Sequence, residues 1–244
     1  MIYQILYESL IAGLATLLGA LIVLSLGKPG ERQLSVLLGF AAGVMTAVVV
    51  LDLLPSALHY GNWLTVCSGF LGGLVFMFIL DNIITLLSGI LPEQSGSQRR
   101  FLKMGYLIAV GIALHDLPEG IAIAVGYTAQ EHLGFLITLA IGLHNIPEGM
   151  ATAAPLVMGG KSLRAILLTN LFISLFTPAG AALGLIIMHL TPGLVCLMLA
   201  LAAGAMIFIV KNELWPEAHR RPQYGCLGFA CGAILILLLS MFIQ

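Results

Sequence analysis

The feature that most constrains this chain is a succession of long apolar runs separated by short polar turns. They fall at about 5–26, 34–56, 63–82, 104–127, 133–158, 163–188, 192–212 and 224–243. A helix rises 1.5 Å per residue, so about twenty apolar residues cross a hydrocarbon core of ~30 Å. Within that core a helix satisfies its own backbone donors and acceptors. Composition agrees: 60% of the 244 residues are hydrophobic, only 9% are charged, and mean hydropathy is +1.07, outside the range of soluble domains. The expected fold is an all-α integral membrane protein of eight transmembrane helices, with residues 1–244 forming one polytopic domain.

Orientation follows from the basic residues. Lys28 and Arg32 come after run one, Arg99, Arg100 and Lys103 after run three, Lys161 and Arg164 after run five, and Lys211, Arg220 and Arg221 at or after run seven. All ten fall on one side, and an odd number of spans would break that pattern. Basic loops stay cytoplasmic, which predicts both termini outside the cytoplasm. Run one has no basic residue before it, carries Glu8 and ends without a small-residue cleavage pattern, so it reads as a retained helix. Cys67, Cys196, Cys226 and Cys231 show no CxxC spacing and read as small apolar packing residues. The net charge of −1 excludes a nucleic-acid footprint.

Two copies of one phrase sit inside this apolar chain: His115-Asp116-Leu117-Pro118-Glu119-Gly120 and, 29 positions on, His144-Asn145-Ile146-Pro147-Glu148-Gly149. Each begins about eleven residues into its run, near the membrane midplane. His and Glu four apart share a helix face, and the proline between them removes a backbone bond and frees the carbonyls of Leu114 and Leu143. An ionisable group in hydrocarbon costs at least about 2.5–3.5 kcal/mol, so several at one depth must pair or mark a pathway. A divalent cation would pair them. The plainer reading is that His115 pairs with Glu148 and His144 with Glu119 to glue two helices. Such contacts contribute only about 0.6 kcal/mol each, a poor reason for duplicated ionisable quartets.

A second repeat lies further apart. Ala41-Ala42-Gly43-Val44-Met45 with Asp52, Pro55 and Ala57 recurs 161 positions on as Ala202-Ala203-Gly204-Ala205-Met206 with Glu213, Pro216 and Ala218. Runs two and seven cross in opposite directions, as do four and five, so both repeats are inverted. The implied architecture is 3+2+3: three helices, a central pair, then three more. Secondary transporters are commonly built this way, with a midplane site at the repeat interface. Met45 and Asp52, seven residues apart, would share a helix face, Met at mid-depth and Asp at the outer mouth; Glu213 would then stand at the inner mouth.

Several polar groups admit two readings. In the outer loops, His59, Glu131, His132 and His189 suit cation capture, and suit simple solvation equally well. Near the end of run seven, Glu213, Glu217 and His219 could form a release path, or pair with Lys211, Arg220 and Arg221. Between runs three and four, residues 83–103 read as an interfacial extension followed by a short flexible linker around Pro92 to Gln98, and Asp81 with Asn82 reads as an interfacial helix end. No phosphate-binding loop of the Walker type is present.

Two imidazoles and two carboxylates make a mixed nitrogen and oxygen set suited to Zn²⁺, and also to Fe²⁺, Mn²⁺ or Co²⁺. Asp116 and Asn145, each one position past a histidine and so rotated about 100° round the helix, could serve a neighbouring second pocket bridged by the glutamates. Met45 offers a soft thioether, although a methionine that fills the core is the commoner case.

At these residues the chain resembles the ZIP (Zrt- and Irt-like) family of divalent metal transporters, most closely its bacterial GufA- and ZupT-like branch. The likeness covers all eight runs. It implies import of Zn²⁺ and related ions towards the cytoplasm through a two-metal site between helices four and five. By position it makes His115, Glu119, His144, Glu148 and Met45 the primary site, Asp116, Asn145 and the shared glutamates the secondary one, and Asp52 the outer entrance. The chain departs from the family in having Asp116 where Asn is frequent, and Thr177-Pro178-Ala179-Gly180-Ala181 where a Glu precedes the Pro. Asp116 either restores that charge or leaves the second site weak. The cytoplasmic histidine loop of many members is also missing.

The resulting expectation is an ATP-independent importer in the cell membrane, its substrate Zn²⁺ or another divalent transition metal (Fe²⁺, Mn²⁺, Co²⁺ or Cd²⁺). No organic cofactor and no nucleic-acid partner are expected; the lipid bilayer is a partner, and a homodimer is allowed. The rival from another class is an intramembrane zinc metallohydrolase, disfavoured because His-Glu-x-x-His is missing and a hydrolase has no evident use for inverted repeats.

Overall fold

The computed structural model describes residues 2–89, 96–129, 131–187 and 192–243. Among the described residues every regular element is helical. The spans are α1 (Ile2–Leu26), α2 (Glu31–Tyr60), α3 (Trp63–Gly89), α4 (Gly96–Ala129), α5 (Glu131–Met158), α6 (Leu163–Ile186), α7 (Gly193–Ala218) and α8 (Pro222–Ile243). Seven are long and apolar enough to cross a membrane on composition alone. The exception, α5, carries His144, Asn145 and Glu148 in its middle. It can be polar there because α1, α2 and α4 pack round it. The outermost helices instead turn bare apolar side chains outward, such as Leu64 and Leu86 of α3 and Met241 of α8.

Prolines set the local breaks. Pro178 has no N–H to return to Ser174, and α6 is interrupted at Leu175, three residues earlier. In α2 and α7 the prolines follow wide π turns at Val49–Leu53 and Val210–Leu214, closed by Leu54 N–H to Val49 O and Trp215 N–H to Val210 O. These turns stand 161 positions apart, the offset of the sequence repeat. Each widened turn inserts an extra residue, so Met45 and Asp52 are not related by two ordinary helical turns, and the shared face expected from their spacing is displaced. Pro118 and Pro147, by contrast, lie inside uninterrupted helices. The end of α5 is closed by Gly160, whose φ of 78° lets Lys161 N–H reach back to Leu156 O.

Packing follows the glycines. α8 lies on α2 and α3 on α7; α1 lies on α5 and α6 on α4; the two central helices lie on each other. Gly43 abuts the carbonyl of Phe229 on α8, and Gly204 abuts that of Phe70 on α3. Gly228 and Gly232 meet Val36 and Phe40, just as Gly69 and Gly73 meet Leu197 and Leu201. The residues of α2 and α7 again differ by 161, and those of α3 and α8 by 159. In the centre, Gly149 meets Thr16 O and Gly120 meets Thr177 O, while Gly19 meets Ile146 O and Gly180 meets Leu117 O. Each contact has its counterpart at the sequence offset. Small residues let these backbones touch, which is how helices gain contact area where lipid is as apolar as their side chains.

Two expectations from the sequence are corrected. Asp81 and Asn82 do not end a helix: α3 continues to Gly89, so the apolar stretch from Ile83 begins as a continuation of the same helix. Asp81 accepts an ion pair from Lys103 at 2.6 Å. The expected linker shrinks from its far side as well, because α4 already begins at Gly96; residues 92–95 of it lie outside the described residues. The cysteines are free, Cys196 buried and the other three exposed.

Candidate metal centre

The twin phrases bring six polar side chains into the middle of the α4–α5 contact. His115, Asp116, Glu119, His144, Asn145 and Glu148 are all buried, none more than 3% exposed. His115 Nε2 lies 3.0 Å from Glu148 Oε1, and His144 Nε2 lies 3.1 Å from Glu119 Oε2. These are the cross-pairs that simple helix gluing would give. Two observations go beyond gluing.

The first concerns protons. His115 Nδ1 lies 3.0 Å from the carbonyl oxygen of Gly111, a pure acceptor, so Nδ1 carries a hydrogen. Nε2 then faces a carboxylate with a bare lone pair unless a second proton, or a cation, stands between them. A ring held in this way by a backbone carbonyl is oriented as metal-binding imidazoles are.

The second concerns unpaired acceptors. Both oxygens of Asp116 are buried without a hydrogen-bond donor, and so are Glu119 Oε1, Glu148 Oε2 and Asn145 Oδ1. Asn145 Nδ2 donates to Ala12 O at 2.9 Å, tying the amide to α1 and leaving its oxygen free. Gluing would not leave carboxylate oxygens stranded at this depth, where each carries a large desolvation cost. His115, Asp116 and Glu148 each offer a donor atom within 4.8 Å of the other two. Asp116 Oδ1 is 3.7 Å from His115 Nε2, so the residue that sequence placed in a neighbouring pocket adjoins the first histidine.

Two cavities run from α2 towards these residues. Asp52 is exposed and accepts from Ser56 Oγ at 3.3 Å. It lines two cavities, one of about 150 Å³ that reaches His144 between Val48, Ala140 and Ile236, the other of about 120 Å³ that reaches Glu119 past Ser56 and Tyr60. The two cavities arrive at the two members of one hydrogen-bonded pair. Met45 is fully buried in the apolar core of α2.

The loop groups are less engaged. His59 packs edge-on against Tyr60, His132 is exposed, and Glu131 accepts from Gln4 at 3.3 Å; His189 lies outside the described residues. At the basic end Glu217 is occupied by Arg100 and Arg220, each at 3.1 Å, and Arg221 binds Glu31 at 2.7 Å. His219 stacks on Trp215.

Sequence reasoning passed over Asn170 and Thr16. Asn170 is fully buried in α6, donates from Nδ2 to Ile166 O, and leaves Oδ1 unpaired; Thr16 Oγ1 and Thr177 Oγ1 are unpaired as well. The available signal was a polar residue in an otherwise apolar run, weak on its own because such residues also bond back to their own helix.

Comparison with known proteins gives one family. The family model described as ZIP Zinc transporter matches residues 91–240. The chain is similar to proteins named zinc transporter ZupT: 33% identical to that of Chlorobium luteolum over 95% of this chain and 96% of the relative. It is 36% identical to that of Corynebacterium glutamicum over 94% and 97%, and 35% identical to that of Lysinibacillus sphaericus over 95% and 96%.

Proposed function

The chain belongs to the ZIP zinc transporter family, a family of transporters and not of enzymes, and from that premise we propose that it carries Zn²⁺ into the cytoplasm through the buried centre between α4 and α5. Fe²⁺, Mn²⁺, Co²⁺ and Cd²⁺ suit the same donor set. The observation that carries the reading is the surplus of buried, donor-less carboxylate oxygens around two imidazoles that are each hydrogen-bonded to a glutamate of the other helix. A divalent ion satisfies them at once.

In this reading Asp52 receives the ion at the outer mouth and the two cavities lead it to His144 and Glu119. The primary ligands are His115, Glu119, His144 and Glu148, with Met45 as a soft neighbour. Asp116 and Asn145 hold a second ion that shares the glutamates. Asp116 supplies there the negative charge that Thr177 does not.

The chain acts as one domain in a cell membrane, with basic loops inside and both termini outside. Its 3+2+3 inverted repeat is supported by glycine contacts and π turns that recur at fixed offsets. Helices α1, α4, α5 and α6 pack as one group and α2, α3, α7 and α8 as another. Movement between two such groups alternates access to the centre. The test is uptake of ⁶⁵Zn²⁺ into proteoliposomes: Glu119→Ala is expected to abolish saturable uptake while the protein still folds, and undiminished uptake rejects the site.

A further inference from the structure

The fixed offsets allow the two ends of the molecule to be compared residue by residue. Val48, Asp52, Ala140, His144, Ile236 and Ser240 line the larger cavity. Their counterparts are Ile209, Glu213, Gly111, His115, Met77 and Asp81, at offsets of 161 between α2 and α7, 29 between α4 and α5, and 159 between α3 and α8. The counterpart region is filled. A Cβ built on Gly111 would lie 3.0 Å from Ile209 Cγ1 and 3.3 Å from Met77 Cε, and Ile209 and Met77 are both fully buried. One end of the interface between the two helix groups is hollow and the other is packed.

The polar contacts divide in the same way. At the hollow end, Tyr127 donates to Glu8 and Gln4 donates to Glu8 and Glu131. All of these join α1, α4 and α5, which belong to one group. At the packed end Arg220–Glu217 and Arg221–Glu31 stay within one group, but two ion pairs cross between groups: Lys103 Nζ of α4 lies 2.6 Å from Asp81 Oδ1 of α3, and Arg100 Nη2 of α4 lies 3.1 Å from Glu217 Oε2 of α7. The position equivalent to Lys103 on α5 is His132, the offset of 29 carries Arg100 to Ala129 ahead of α5, and no Lys or Arg occurs at that end.

We propose that Lys103 and Arg100 form a latch that holds the foot of α4 against α3 and α7, keeping the packed end shut while the Asp52 end is open. Opening that end breaks both pairs. It exposes Asp81 and Glu213 along the new cavity, so the leaving metal ion and the Lys103 ammonium compete for Asp81. Asp81 is thus a gate residue, and the cation that occupies it in this conformation belongs to the chain itself. The proposal rests on the transport reading.

The experiment uses the full chain in membrane vesicles, with the four native cysteines replaced and Ile108→Cys as reporter. Ile108 is fully buried and is the counterpart of Ile137 in the hollow cavity. A membrane-impermeant maleimide is applied from the face that carries the basic residues. Lys103→Gln and Asp81→Asn are each expected to raise the labelling rate roughly two- to fivefold, the range for losing one partly exposed ion pair. The charge-reversed pair Lys103→Asp with Asp81→Lys is expected to return it to the parent rate. Labelling at the parent rate in Lys103→Gln overturns the latch, as does equally fast labelling in the reversed pair. Zn²⁺ flux in the same vesicles separates the two ideas: loss of flux in Glu119→Ala alongside unchanged labelling of the reporter thiol in Lys103→Gln removes the latch and leaves the transport reading standing.

Discussion

Replacing Gly149 by alanine would put a methyl group where α5 touches the backbone of α1. A Cβ there lies 2.7 Å from the carbonyl carbon of Thr16 and closer still to its oxygen, against 3.4 Å for an ordinary contact. Backbone cannot swing aside as a side chain can, so the helices must part by more than the roughly 0.7 Å that the carbonyl carbon alone requires, or their carbonyls must tilt. Overpacking of this kind costs typically ~1–3 kcal/mol. For a chain of this length about 2 kcal/mol lowers the melting temperature by roughly 4–8 °C. Glu148 is the preceding residue, so its 3.0 Å contact with His115 would be displaced with it. Gly149→Ala in detergent is therefore expected to melt earlier and, in proteoliposomes, to take up Zn²⁺ at a strongly reduced rate. Gly120→Ala, which meets Ala181 N at 2.6 Å on α6, is expected to behave alike. Gly72→Ala meets nothing within 4 Å, so it controls for the methyl group itself. If Gly149→Ala melts with the parent and transports at its rate, close backbone contact does not set the geometry of the centre.

Two further substitutions separate capture from binding. Asp116→Asn removes a buried carboxylate with no donor, so the metal-free protein is expected to gain thermal stability while the protection conferred by added Zn²⁺ shrinks; a loss of stability in the metal-free protein would mean that Asp116 already has a partner. Asp52→Asn leaves the proposed ligands intact and removes a charge that lines both cavities, so it is expected to raise the Zn²⁺ concentration for half-maximal uptake roughly three- to tenfold with the maximal rate retained; an unchanged half-maximal concentration would argue against Asp52 as the entrance.

Much of the fold can be read from the sequence because hydropathy and glycine spacing are local properties. The eight runs match the helices to within a few residues at most ends, and the 161-position repeat reappears as paired π turns. Helix ends are less legible. Asp81 resembles a terminus because an acid usually marks an interface, yet its charge is met by Lys103, which lies 22 positions along the chain. The π turns are illegible because one extra residue in a turn leaves no mark on composition. Asn170 and Thr16 escape notice because whether a polar side chain in a membrane helix has a partner depends on the neighbouring helix.

The sequence by itself determined that the chain is a helical membrane protein and that five ionisable side chains fall near the middle of two consecutive apolar runs. Both follow from length, hydropathy and the 3.6-residue period. Only the tertiary structure decided that the histidines reach across to each other's glutamates, that Asp116 is left without a donor, and that one end of the interface is hollow while the other is packed and ion-paired. Those outcomes depend on how far each helix is rotated and how closely it approaches its neighbours. Here that is set by glycine-to-carbonyl contacts between spans far apart in the chain.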